Sequence, residues 1–338
     1  MRHFLRGAAK WLLLAACLAA VAMPRFNLRD PGIIGRFTTS ATATPYGLPI
    51  DVEGYVRLVR YYRSEAPADS MMSPYCYRPL VPYLASFIPT SALTAINLLD
   101  LIASFLTVIV INLLLRHFGV GNRSRTFAAL LFIVSFPTFY YTTIGFIDPV
   151  AILWVALLLY LTSRNRFWLA AICSVLAVLT KETNLVFTVL PGLSLWMAHR
   201  REARYWIPAV LAPPISAGAA LATRGLTHFP EQGFFWNMHL HSLVENLSRP
   251  RVYLSLALTL GIPTALAIAA ILRGRPEQLY GRTNTKLLLC GCALACSLYA
   301  YSLMAAYADG RVIWVIYPFA IPLAVSLVRP VVRESGVR

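Results

Sequence analysis

The chain has 338 residues, of which 58% are hydrophobic and 13% charged, with a mean hydropathy of +0.63. Soluble domains carry about a quarter charged residues, so this composition excludes an ordinary soluble protein and points to a polytopic membrane protein. Lys and Arg outnumber Asp and Glu 30 to 14. No basic run is interleaved with stacking aromatics, so the excess is assigned to cations flanking cytoplasmic helix ends rather than to nucleic acid.

Residues Arg2, Arg6 and Lys10 precede the apolar run "WLLLAACLAAVAM". That pattern suits a signal peptide or a first helix left uncleaved; the run before Cys17 is short for a lipoprotein site, which favours the uncleaved helix. Ten apolar segments follow the length rule for crossing a bilayer or entering it: 8–23, 91–115, 126–144, 149–163, 167–180, 184–198, 205–222, 252–272, 287–306 and 312–328. The pair 167–180 and 184–198 is short. With both termini cytoplasmic, 18 of the 30 basic residues fall on the inner side, in every short loop there. Ten of the 14 acids fall outside, which places the polar chemistry on the outer face.

Two outer segments are long, 24–90 and 223–251. In the first, the loop signal "TTSATATPYGLP" gives way to "DVEGYVRLVRYY". There Val52, Tyr55, Val56, Val59 and Tyr62 recur at helical spacing, predicting a short interfacial helix with Asp51 near its start. The second holds "FPEQGFFWNMHLHSLVENL", a further interfacial element. No internal repeat is evident, and the whole chain, 1–338, reads as one all-α transmembrane domain of about ten helices.

Five of the six cysteines fall inside apolar segments and behave as small hydrophobes; Cys76 alone lies in a polar stretch. No disulfide framework follows. His239 and His241 are two apart, and on a helix they would face apart, which argues against joint metal ligation.

The ionisable groups at outer helix ends are Asp51 and Glu53, Asp148 in "GFIDPVA", Lys181 and Glu182 in "LTKETN", and Asp309 and Arg311 in "ADGRVIW". Each has a bland explanation. Asp148 with Pro149 fits a helix N-cap, Lys181 and Glu182 fit a snorkelling pair, and Arg311 fits an interfacial anchor. Their joint occurrence on one face suits chemistry instead. A carboxylate there can accept a proton from a hydroxyl or amine, and Lys and Arg can hold a departing phosphate. No P-loop or dinucleotide fingerprint is present.

The stretch "IDVEGYVRLVRYYRSE", followed by "YRPLVPYLA", resembles the first outer loop of GT-C class membrane glycosyltransferases, in the branch of the aminoarabinose and protein-mannosyl transferases. Asp51, Glu53 and Tyr55 match that family's acidic loop motif. Asp148 is similar to its second acid, "LTKETN" to its Lys motif, and "GRVIWVIYPFAIP" to its late Arg and Pro helix start. The resemblance departs where "KE" stands for the usual Lys-Gly and in that no large soluble domain follows the helices. It implies a GT-C-like helical bundle in which a polyprenyl-phosphate-linked sugar is the donor and a glycan, lipid or protein the acceptor. On it, Asp51 is the general base with Glu53 as competitor, and Asp148 orients the acceptor or helps hold a divalent cation with Asp51. Lys181, Arg311 and Arg78 contact the donor phosphate, while Tyr55, Glu182 and Asp309 line the acceptor or lipid groove. A bacterial inner membrane suits the composition. Two other readings stay open: a carrier of lipid-linked or small polar substrates, for which the mid-helix Asp100 speaks, and a non-catalytic scaffold subunit with the same fold.

Overall fold

A computed structural model describes residues 2–27, 48–227, 229, 239–305 and 308–328. The "TTSATATPYG" loop, most of the aromatic stretch at 230–238 and the basic residues Arg329, Arg333 and Arg338 lie outside them.

The described residues are helical, with no strand among them. In chain order the helices are α1 (Arg2–Ala22), α2 (Ile50–Tyr62), α3 (Leu80–Ser86), α4 (Ala92–His117), α5 (Asn122–Ile133), α6 (Phe136–Tyr141) and α7 (Asp148–Ser163). Then come α8 (Phe167–Thr180), α9 (Leu190–Met197), α10 (Ala203–Leu226), α11 (Leu240–Leu247), α12 (Pro250–Leu272), α13 (Arg275–Ala305) and α14 (Tyr317–Val325). Two 3-10 segments, Glu182–Val189 and Gly310–Ile316, lead into α9 and α14.

Four of these, α4, α10, α12 and α13, are long and apolar enough to cross a membrane. Helices α7 and α8 are apolar but shorter, as is the run Gly310–Val325. Outward apolar side chains such as Ile102, Ile262 and Leu272 stay exposed, which suits lipid rather than water. The described residues therefore form an all-helical protein with four helices fit to cross a membrane.

The single segment expected at 126–144 is broken. Ser135 is extended and Pro137 stands in the first turn of α6, where a proline lacking its N–H starts a new helix more readily than it continues one. The last helix is likewise divided, with 3-10 turns giving way to α14 at Tyr317. Inside α12 and α13 the backbone leaves the helical region at Gly261 (φ 46°) and Gly281 (φ 74°), positions that a side chain would strain.

Helix α2 forms as its spacing predicts, but its apolar face is inside the protein. Val52, Tyr55, Val56 and Val59 are buried, and Tyr62 is half-buried. This seats the start of α2, with its acids, against the transmembrane core.

Candidate active site

Four stretches far apart in sequence meet at one end of the core: the start of α2, the head of α7, the turn after α8, and the start of the Gly310–Ile316 segment. Their meeting point is Arg311. Its Nη2 donates to Asp51 Oδ2 at 2.5 Å, and its Nε lies 3.4 Å from Asp148 Oδ2. The guanidinium rests on the ring of Phe146, 3.7 Å from the centroid. One cation thus bridges two carboxylates while an aromatic face supports it.

Each carboxylate has a second partner. Lys181 Nζ donates to Asp148 Oδ1 at 2.6 Å, and Tyr75 Oη donates to Asp51 Oδ1 at 3.0 Å. Beside them Arg78 forms a two-point pair with Glu182, at 2.6 and 2.7 Å, and its Nη1 donates to Tyr55 Oη at 2.6 Å. Three cations therefore face three carboxylates, and the Asp148 and Arg78 side chains are less than one-tenth exposed. Such pairs are costly to desolvate and hold together only with good geometry.

Burial pushes the Asp51 carboxyl up, but the Arg311 and Arg78 guanidiniums outweigh it and hold the group below the ordinary carboxylate value. Burial and the negative charge of Asp51 both push the Tyr75 phenol up, so it stays a donor. Glu182 is lifted by burial and drawn below its usual value by Arg78. Burial lowers the Lys181 ammonium more than Asp148 raises it.

Local sequence explains the placement. Gly54 leaves room for Tyr75: a Cβ there would lie 2.6 Å from the Tyr75 ring, so any larger residue would push the phenol off Asp51. A Cβ on Gly310 would run into the carbonyl of Ser255. That close approach lets Gly310 N donate to Ser255 Oγ at 2.9 Å and sets the start of the segment carrying Arg311.

The expected residues divide into three groups. Asp51, Asp148, Lys181 and Arg311 form one ion-pair cluster, with Arg78, Glu182 and Tyr55 adjoining it. Asp309 lies next to the cluster and is tied into the backbone of the segment that carries Arg311. Tyr141 Oη and Ser255 Oγ both donate to its Oδ1 at 2.7 Å, as does Arg311 N at 3.2 Å, so it caps the segment that presents Arg311. Glu53 stands apart: two residues from Asp51 on a helix it faces away, is buried, and is ion-paired to Arg57.

The bland explanations are each displaced. Asp148 is the first helical residue of α7 and makes no capping bond, because both its oxygens turn to cations. Lys181 and Glu182 do not pair with one another. Arg311 is half-buried and turned to Asp51 rather than reaching toward headgroups. Tyr75, Tyr141 and Ser255 were not apparent from sequence; only Tyr75 had a local signal, three residues before Arg78 on a tight turn.

His239 and His241 are exposed at the start of α11. No group of three or more His, Cys, Asp or Glu comes together among the described residues. Asp51 and Asp148 already neutralise Arg311 and Lys181, so these residues do not fit a divalent-cation site.

A depression of about 670 Å³ lined by Tyr61, Tyr62, Ser64 and Glu65 lies at the other end of α2. An all-helical membrane protein with buried, balanced ion pairs at one end of its core is the class that fold and site define. No protein-family model matches the chain, and no curated protein does.

Proposed function

We propose that the protein is a glycosyltransferase of the GT-C kind, moving a sugar from a polyprenyl-phosphate donor to an acceptor at the outer face of the membrane. The observation that carries this reading is Arg311, which pairs with Asp51 and lies within ion-pair distance of Asp148, although the two acids are remote in sequence. A base, a second acid and cations for a phosphate are thereby within reach of one another.

In this reading the ten apolar segments cross or enter a bacterial inner membrane with both termini cytoplasmic. The donor phosphate enters beside Lys181 and Arg311, and Arg311 exchanges Asp51 for a phosphate oxygen. The freed Asp51 carboxylate takes the proton from the acceptor hydroxyl. The acceptor oxygen then bonds to the sugar's anomeric carbon as the bond from that carbon to the phosphate oxygen breaks. Polyprenyl phosphate leaves with one more negative charge, which Lys181, Arg311 and Arg78 stabilise. Asp148 keeps Lys181 and Arg311 oriented. The aromatic depression at Tyr61 and Tyr62 offers ring faces to the acceptor, be it a glycan, a lipid or a protein.

Mass spectrometry of lipid-linked sugars and surface glycans in cells lacking the protein tests this. The expected result is accumulation of one lipid-linked sugar and loss of one sugar mass from a surface glycan. Unchanged profiles of both would remove the reading. The carrier reading draws on one observation, the fully buried Asp100. Its signature is substrate crossing reconstituted vesicles without covalent change.

A further inference from the structure

Helix α4 carries a polar line along one side: Asn97, Asp100 and Ser104 are spaced three and four residues apart and are fully buried. Both carboxylate oxygens of Asp100 lack a hydrogen-bond partner, as do Asn97 Oδ1 and Ser104 Oγ. Buried polar atoms of native proteins are nearly always paired, so four orphans on adjacent turns of one helix need a cause.

The line continues outward as a hydrogen-bonded chain. Asn97 Nδ2 donates to Asn27 Oδ1 at 2.7 Å. Asn27 Nδ2 donates to Thr94 Oγ1 at 2.8 Å. Thr94 Oγ1 lies 2.7 Å from Ser91 Oγ, and Ser91 is exposed at the outer end of α4. Asn27 is held in the left-handed region, at φ 58°, by a bond from its own N–H to Thr143 O, and asparagine tolerates that region. Every amide in the chain donates outward. Its inner end is therefore an acceptor, Asn97 Oδ1, with Asp100 one turn deeper.

An ionised carboxylate offers only acceptors, so it leaves Asn97 Oδ1 unpaired and itself uncompensated. A protonated one offers the missing donor. Helices α1, α2, α3, α5, α7 and α14 pack on α4. Asp148 is the charged group among the described residues whose field reaches Asp100, and no cation does. An acid in that setting is neutralised by binding a proton rather than kept as a bare charge.

We propose that Asp100 is a buried proton-binding site, occupied at neutral pH and joined to the surface of the protein by the hydrogen-bonded line of Asn97, Asn27, Thr94 and Ser91. The proton closes the chain by donating from Asp100 to Asn97 Oδ1. Release of the proton places a negative charge behind Asp148 and tightens its hold on Lys181 and Arg311. None of this depends on sugar transfer.

Infrared difference spectroscopy of the full chain in lipid nanodiscs, wild type against Asp100→Asn, tests it. The expected result is a carbonyl stretch of a protonated carboxylic acid at neutral pH, absent in Asp100→Asn. It shifts down in deuterium oxide and moves to higher frequency in Asn97→Ala. Should Asp100→Asn fail to accumulate, isotope-labelled aspartate in the wild-type protein and in Asn97→Ala gives the same readout. A carboxylate band in place of the acid band overturns the proposal. So does an acid band that Asn97→Ala leaves in place. Thermal stability that rises with sodium or potassium would likewise overturn it and assign the site to a cation.

Discussion

At the ion-pair cluster Asp51, Asp148 and Glu182 each meet a cation, and their geometry is set by pairs of opposite charge. One helix away, on α4, Asp100 meets none. The first region keeps its charges by matching them, and a matched pair can be opened by a substrate that brings charge of its own. The second has no counter-charge, and a proton is the simplest neutraliser. Buried acids of one protein thus serve different ends according to what faces them.

The largest effect is expected from unmatching the cluster. Lys181→Met leaves Asp148 with only the longer contact to Arg311, and removing one partner of a buried pair costs about 3–5 kcal/mol. The check is thermal or denaturant unfolding in detergent, with Lys181→Met combined with Asp148→Leu recovering much of the loss. A double variant that loses the sum of the Lys181→Met and Asp148→Leu losses would mean that the two residues do not act as a pair.

Tyr75→Phe is milder, since it removes one hydrogen bond to Asp51 worth about 1 kcal/mol. It is expected to slow transfer several-fold without reducing the amount of protein in the membrane. Acidification sharpens the contrast between regions. Asp51 titrates below its ordinary value of 3.8 in the folded protein. The folded state thus binds that proton less tightly than the unfolded chain. Its contribution to stability is full above pH 3.8 and fades as pH falls through the lower, folded-state value. In Arg311→Gln this acid-side loss is expected to shrink, measured as the pH dependence of the unfolding midpoint.

Glu53→Gln marks the small end. Glu53 faces Arg57 and not the cluster, so transfer is expected to stay near wild type while stability falls slightly. Loss of transfer in Glu53→Gln comparable to that in Asp51→Asn would return Glu53 to the role of base.

Helical spacing in "DVEGYVRLVRYY" was enough to foresee α2 and its apolar face, but not that this face packs inside the protein rather than on the membrane surface. The same 100° per residue separates Asp51 from Glu53, so their division was legible in principle. The break at Ser135 was also legible, because Pro137 cannot donate within a helix interior. What sequence could not supply is the pairing of Arg311 with Asp51, 260 residues away. Charges recognise partners by packing of the elements between them, and no local spacing encodes that. Asp309 shows the same limit: Tyr141 and Ser255, which donate to it, come from distant parts of the chain. The Asn97, Asp100 and Ser104 line had its spacing in plain view, yet its meaning depends on Asn27, which arrives from another helix end.

The most direct measurement is sugar transfer from a polyprenyl-phosphate donor by membranes carrying equal amounts of wild type, Asp51→Asn or Asp148→Asn. The expected result is transfer by wild type and loss of at least a hundredfold in Asp51→Asn, with a smaller but clear loss in Asp148→Asn, in line with roughly 10²–10⁴ for a positioned proton acceptor. Full transfer by both variants would contradict the assignment of the ion-pair cluster as the active site.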